Sequence, residues 1–281
     1  MTSDARTPVE ALVDCLDLDA LDRDLFLGDP GPGEGRLFGG MVAAQCVIAA
    51  GRTVDADRSL HSLHAYFLRP GRHDAPLRLV VDRIRDGGSF TTRRVVAHQA
   101  GEAIFNMSAS FARPEDGISH QEPMPDAPSP DDCEDWEILR GRALGLPSTH
   151  RLSAVEVRVR GDESSDGTRG EPRQRNWLRV RAPIPDDPLI QTATLVYATD
   201  RTLLSTAARP HGIPWKKRRA ASLDHAVWIH HRPDMNAGWL LYASESPAAH
   251  SARGIIFGGL FTRDGVRVAS VAQEALIRTA R

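Results

Sequence analysis

The segment from Gly39 to Ala50 is nearly all apolar, with apolar residues on every face, and no other feature of this 281-residue chain restricts its fold so tightly. Met41, Val42, Ala43, Ala44, Cys46, Val47, Ile48 and Ala49 leave no polar stripe for water, so a helix here must be buried all round. It falls well short of the roughly 20 apolar residues that cross a bilayer, as does every other apolar stretch in the chain. The enclosure therefore has to be protein, and a sheet wrapped around the helix is the simplest one.

The residues that follow supply such a sheet. Runs at 62–68, 77–84, 89–98 and 103–112 are rich in β-branched and aromatic residues. Pro70-Gly71, Asp86-Gly87-Gly88 and Ala100-Gly101 punctuate them as hairpin connections do. Upstream, residues 8–27 carry apolar positions near helical spacing, ending at Gly28-Asp29-Pro30-Gly31-Pro32-Gly33. From Pro114 to about Pro147 the composition turns to Pro, Asp and Glu, which predicts an extended, surface-bound linker that Trp136, Ile138 and Leu139 pin to the body.

The same order then recurs. Runs at 154–160 and 176–182 flank a polar loop, Asp162 to Arg175, expected to be mobile. Asp187-Pro188 supplies an acidic N-cap and a first-turn proline for a second mainly apolar helix, predicted to reach about Ala207. Strands are predicted at 221–230, 239–245, 252–263 and 266–277. Ser62-Leu63-His64-Ala65 is echoed by Ser222-Leu223-Asp224-His225-Ala226 with one residue inserted, and Gly101-Glu102-Ala103-Ile104 by Gly265-Val266-Arg267-Val268. A duplicated helix-in-sheet unit follows: residues 1–113 as one domain, 114–150 as linker, and 151–281 as a second domain carrying the catalytic groups.

A formal net charge of −2 supplies no field that recruits nucleic acid or an anionic membrane, so neither is expected as a partner. Cys15, Cys46 and Cys133 lie far apart without metal-ligand spacing, which fits a reducing cytoplasm. Met1-Thr2-Ser3-Asp4 opens no basic-then-apolar leader, and Arg278-Thr279-Ala280-Arg281 is no peroxisomal address.

Asp200 shares a helix face with Ala193, Val196, Tyr197, Leu203 and Leu204. A carboxylate there is either held by specific partners or turned out toward Arg201 or Arg209. Two-residue alternation puts Ser222, Asp224 and Ala226 on one strand face, and Gln273 between Val271 and Ala275 on another. An amide among small apolar neighbours implies a specific hydrogen bond. The run Lys216-Lys217-Arg218-Arg219 reads as a solvated basic loop or as a landing site for the phosphates of a nucleotide-bearing ligand. His61/His64 and His230/His231 lack partner ligands at metal spacing, so no metal is expected. There is no G-x-S-x-G elbow, dinucleotide fingerprint or P-loop.

Several motifs, taken in order, resemble the acyl-CoA thioesterase II family. They are Leu37-Phe38-Gly39-Gly40, His64-Ala65-Tyr66-Phe67-Leu68-Arg69-Pro70-Gly71, Asp86-Gly87-Gly88-Ser89-Phe90-Thr91-Thr92-Arg93-Arg94-Val95, Tyr197-Ala198-Thr199-Asp200, Ser222-Leu223-Asp224-His225, Ser251-Ala252-Arg253-Gly254 and Val271-Ala272-Gln273-Glu274. The resemblance implies an α+β double hot-dog, two antiparallel sheets each wrapped around a long buried helix. It also implies hydrolysis of fatty acyl-CoA thioesters by a water held by Asp200, Ser222 and Gln273, without cofactor. Ser222 stands where the family carries Thr, and Met41 where relatives often carry Gln. Gly39 and Gly40 are candidate oxyanion donors, Asp224 a reserve base, and Met41, Phe67, Phe90 and Tyr197 candidate tunnel residues. A non-catalytic acyl-CoA-binding module and an enoyl-CoA hydratase are the rival functions on this scaffold. Open sheet edges predict pairing of chains into a homodimer or homotetramer.

Overall fold

The structure, a computed structural model, describes residues 6–147, 152–161 and 167–279. α1 (Pro8–Leu16) starts on a reciprocal capping box between Thr7 and Glu10 and buries Val9, Leu12, Cys15 and Leu16. The helical spacing read over 8–27 holds only for this first part. A hairpin of β1 (Asp19–Asp22) and β2 (Leu25–Gly28) follows, turned by Asp24 at φ 63°, a left-handed conformation that Asp tolerates better than most residues.

α2 (Gly39–Gly51) is the helix the sequence demanded: Ala44, Cys46, Val47, Ala49 and Ala50 have no exposed surface. β3 (Ser59–Phe67), β4 (Leu77–Asp86), β5 (Phe90–Gln99) and β6 (Glu102–Ala112) form its antiparallel wrapping. The Pro-rich stretch then runs over the body, tied down where Gln121 bonds the backbone of Gly265 and Arg267 and where the Trp177 indole donates to Pro128. It ends in β7 (Glu134–Asp135) and α3 (Trp136–Leu144), whose Trp136 and Leu139 pack on the core, whereas Ile138 is exposed.

β8 (Val155–Val159) and β9 (Arg173–Val180) come next; part of the expected Asp162–Arg175 loop lies outside the described residues. α4 (Pro188–Thr199) is capped by Asp187, whose carboxylate accepts from the Leu189 and Ile190 amides, with Pro188 in the first turn. The helix does not reach Ala207. It stops at Thr199, because the Tyr242 hydroxyl takes the Thr199 carbonyl, and the chain restarts as α5 (Leu203–Ala208). β10 (Arg218–Ser222), β11 (Asp224–Ile229), β12 (Leu240–His250), β13 (Arg253–Phe261) and β14 (Arg267–Thr279) complete the chain.

The strands join into one continuous sheet of order β1-β2-β4-β5-β6-β3-β11-β14-β13-β12-β9-β8-β7, with β10 on β14. β3 and β11, the two echoed segments, pair antiparallel at its middle, with Ala65 opposite His225. From that seam the order β3-β6-β5-β4 on one side matches β11-β14-β13-β12 on the other, so each half repeats the other across the junction. α2 and α4 lie against each other inside the curved sheet. The shared core runs through both halves, from Val47, Leu63 and Val95 to Leu195, Val227 and Ile256.

Candidate active site

Asp200 is the residue on which α4 ends, at φ −87° and ψ 0°. Only 6% of it is exposed, and it bridges neither Arg201 nor Arg209; Arg201 pairs with Glu137 instead. Its carboxylate is aimed at the N-terminus of α2, where the Gly40 amide donates to it, and the nearby Gln273 side-chain amide also stabilises its charge. The Ser222 hydroxyl donates to Oδ1 at 3.1 Å. The positive end of α2 and these donors favour the anion, but burial outweighs them and raises the Asp200 pKa above its ordinary value.

Ser222 ends β10, and the chain does not continue smoothly into β11. Ser222 pairs with Ala275 of β14, while Ala226 pairs with Ala272, so five residues on one strand face four on the other. The extra residue is a β-bulge. It reverses the expected alternation. Asp224 turns aside and accepts the Glu274 amide at 2.7 Å, and His225 instead of Asp224 joins Ser222 on the inner face. The reserve base is thus occupied away from the site.

Gln273, on β14 between buried Val271 and Ala275, points inward as expected. Its Nε2 donates to Ser222 Oγ at 2.9 Å and its Oε1 lies 2.5 Å from His225 Nδ1. The far nitrogen of that ring, Nε2, is 2.8 Å from the Thr199 hydroxyl. Burial lowers the His225 pKa, and the neighbouring Asp200 charge opposes that shift. Thr199 adjoins Asp200 in the chain, so the side-chain bonds close a ring: Asp200, Ser222, Gln273, His225, Thr199. Sequence reasoning chose three of these residues as site residues and passed over His225 and Thr199, which stand in the same motifs. The inserted residue in the Ser222–Ala226 echo was the one signal that could have flagged the bulge and, with it, His225.

A cavity of about 350 Å³ opens in front of this ring. Gly39, Val42, Phe67, Ile104, Phe105 and Ser222 line its inner part, and Arg36 and Arg69 also border it. A Cβ at Gly39 would sit 2.5 Å from Phe67 Cε1 and 2.9 Å from Asp200 Oδ2, so the missing side chain keeps the passage to the carboxylate clear. Of the expected tunnel residues only Phe67 borders this cavity. Met41 and Tyr197 line a separate pocket of about 360 Å³ beyond Phe38, and Phe90 lies on the outer surface against His61. Lys216 and Lys217 precede β10, about 16 Å along the strand from Ser222 at the usual rise per residue.

Comparison with known proteins places two adjacent family matches on this chain. Residues 28–112 match the acyl-CoA thioesterase N-terminal domain, and residues 148–276 match acyl-CoA thioesterase. Acyl-coenzyme A thioesterase 8 of Mus musculus is 38% identical over 94% of this chain and 87% of its own length. Acyl-CoA thioesterase 2 of Haemophilus influenzae is 35% identical over 95% and 96%. Among solved structures, an acyl-CoA thioesterase II from Mycobacterium marinum superposes with a TM-score of 0.80 at 39% identity, covering 96% of this chain and 98% of that one. A hot-dog protein from Alicyclobacillus acidocaldarius, 21% identical and matching over 95% and 98%, superposes at 0.77 and shares the fold.

Proposed function

We propose, from the premise that this chain belongs to the acyl-CoA thioesterase family and hydrolyses acyl-CoA thioesters, that Asp200 is the base and that Ser222 and Gln273 hold the attacking water. The observation that carries this reading is a buried carboxylate, held by Ser222 and the Gly40 amide, behind the side-chain-free Gly39 in the cavity wall.

The hydroxyl proton of Ser222 is committed to Asp200, and one oxygen lone pair to Gln273 Nε2–H. The second lone pair is free to accept a proton of the water, and the second N–H of Gln273 to donate to the water oxygen. So held, the water gives a proton to Asp200 while its oxygen forms a bond to the thioester carbon. Fixing it beforehand removes part of the entropic barrier. The carbonyl becomes an oxyanion. Gly40 is already donating to Asp200, so Gly39, whose amide begins α2 and which borders the cavity, is the better oxyanion donor. Collapse breaks the carbon–sulfur bond, and the CoA thiolate leaves with the proton held by Asp200.

The acyl chain is assigned to the apolar cavity between Val42, Phe67 and Phe105. The phosphates of CoA are assigned to the cations near its rim and at Lys216 and Lys217. The division into residues 1–113, 114–150 and 151–281 rests on the repeated strand order about β3 and β11. A cytoplasmic setting rests on three buried free thiols; among the described residues no helix is long and apolar enough to cross a membrane. Assembly into a homodimer or homotetramer needs a surface other than the sheet edges, since β1 and β7 are short and acidic. Exposed Tyr66, Trp228 and Phe257 on the outer face offer one.

The test is thiol release from a panel of acyl-CoAs of increasing length, with the native chain beside Asp200→Asn. Turnover that collapses in the variant supports the site. Stable binding without thiol release from any substrate would overturn the catalytic reading in favour of a binding module.

A further inference from the structure

The Gln273 amide is almost symmetric in shape, and the two ways of placing it have opposite chemical consequences. With Nε2 toward Ser222, it donates one hydrogen to Ser222 and keeps the second for the water beside the Asp200 carboxylate. Rotated by half a turn, it would present a carbonyl oxygen to that carboxylate and have no hydrogen for the water. The carboxylate on the near side repels the rotated form, and a fixed donor on the far side of the amide holds the first one positively. His225 Nδ1, 2.5 Å from Oε1, is that group, in a position where both side chains are 99% buried and water cannot substitute.

We propose that His225 is a positioning residue for thioester hydrolysis: its Nδ1–H locks the Gln273 amide in the orientation that donates to Ser222 and the attacking water. This rests on the assignment of Gln273 to the site. The ring is itself fixed from behind. Thr199 Oγ1 lies 2.8 Å from both His225 Nε2 and the Val196 carbonyl, so its one proton has two acceptors. Donated to Nε2, it demands the neutral tautomer with the hydrogen on Nδ1, which is the useful one. Donated to Val196, it leaves Nε2 to carry a hydrogen, and Nδ1 can still donate only as an imidazolium, which burial disfavours and the Asp200 charge only partly offsets. In both arrangements that keep Nδ1–H, the amide faces the same way. Because Thr199 immediately precedes Asp200, the ring of bonds also ties the orientation of the amide to the end of the helix that carries the base.

The test uses three substitutions at one position. His225→Asn puts an amide nitrogen close to where Nδ1 stood. His225→Gln reaches instead to the place of Nε2, keeping a polar partner for Thr199 but none for Gln273. His225→Phe keeps bulk and removes both nitrogens. With long-chain acyl-CoA, kcat is expected to fall about tenfold to a hundredfold in the Phe and Gln variants, the scale of one buried hydrogen bond, with KM within about twofold. The Asn variant is expected to recover most of kcat. In a Gln273→Ala background the same changes should cost little more, since a residue acting through Gln273 has nothing left to position. Thermal unfolding separates loss of folding from loss of turnover, and the Asn–Gln contrast keeps the test decisive if the Phe variant does not fold.

Equal activity in the Asn and Gln variants, or losses that multiply in the Gln273→Ala background, would overturn the role given to His225. An unchanged kcat in Gln273→Ala alone would instead overturn the assignment of Gln273, a distinct result.

Discussion

Replacing Asp200 with Asn separates the chemistry of this site from its architecture. The two side chains have nearly the same shape, and Asn keeps one acceptor oxygen for the Ser222 hydroxyl, 3.1 Å away in the native site. Its NH2 group, however, meets the remaining donor, the Gly40 N–H. Such a mismatch costs about 1–3 kcal/mol. A second effect has the opposite sign. Burial raises the Asp200 pKa in the folded state, so at neutral pH the ionised group opposes folding, an opposition that disappears as pH falls through the folded pKa. Asn removes it at every pH. The two effects oppose each other, and the melting temperature is expected to move by no more than about 2–4 °C in either direction for a chain of this size. Activity has no such compensation. Loss of a general base removes about 10²–10⁴ of kcat, or roughly 3–5 kcal/mol of barrier. The assay is thiol release at saturating acyl-CoA, paired with a thermal melt of the same preparation. A variant that keeps its kcat refutes the role of Asp200. One that loses kcat together with 10 °C or more of stability, on the order of several kcal/mol, shows that the carboxylate was holding the two helices together instead.

Four further outcomes follow from the same geometry. The acid limb of kcat/KM should lie above the ordinary carboxylate range, and Ser222→Ala should move it to higher pH, because the Ser222 hydrogen bond lowers the Asp200 pKa; a limb that stays put or moves down contradicts the shared site. Gly40→Ala should cut kcat by about tenfold or more: its Cβ would lie 2.7 Å from the Tyr197 carbonyl, a backbone atom that cannot step aside, and the start of α2 must shift from Asp200; native-like turnover would show that this helix start is not under tight constraint. Val42→Phe, narrowing the cavity, should depress kcat/KM for long acyl chains by about tenfold while sparing short ones. Equal losses for all chain lengths would place the pantetheine arm in the cavity instead. In the two-residue β12–β13 turn, Ser251 and Ala252 hold φ of 50° and 60°, and Ala252→Gly should add about 1 kcal/mol of stability, read as a higher melting temperature; a lower one would mean that the turn is not strained.

Much of the architecture was legible because burial leaves a strong mark on composition. A segment such as Met41–Ala49, with no polar face, admits few folds, and the alternating strands after it supplied the enclosure. Two elements misled for local reasons. Residues 19–28 share an apolar content with α1 but form a hairpin, because the left-handed Asp24 reverses the chain and its carboxylate grips Arg83. The second helix kept its apolar stripe past residue 200, yet stops at Thr199, where Tyr242, more than forty residues away, captures the last carbonyl. Periodicity carries no record of a partner that distant.

The site was half legible for a related reason. Asp200 and Gln273 stood out because a polar group in an apolar stripe is anomalous wherever the chain places it. Ser222 and His225 had no such contrast, and strict alternation assigned the wrong neighbour, Asp224, to the inner face. One inserted residue decides the matter. Relative to the first half, the Ser222–Ala226 segment is longer by one, and the bulge that absorbs it lies beside the seam where β11 meets β3. In a regular strand Ser222 and His225, three residues apart, would fall on opposite faces, and Gln273 would keep the hydroxyl or the imidazole but not both. The duplicated halves therefore differ where the proposed chemistry requires it. The first contributes the N-terminus of α2, with its amide and its side-chain-free passage. The second contributes the carboxylate and, through its bulge, the ring of donors that orients it.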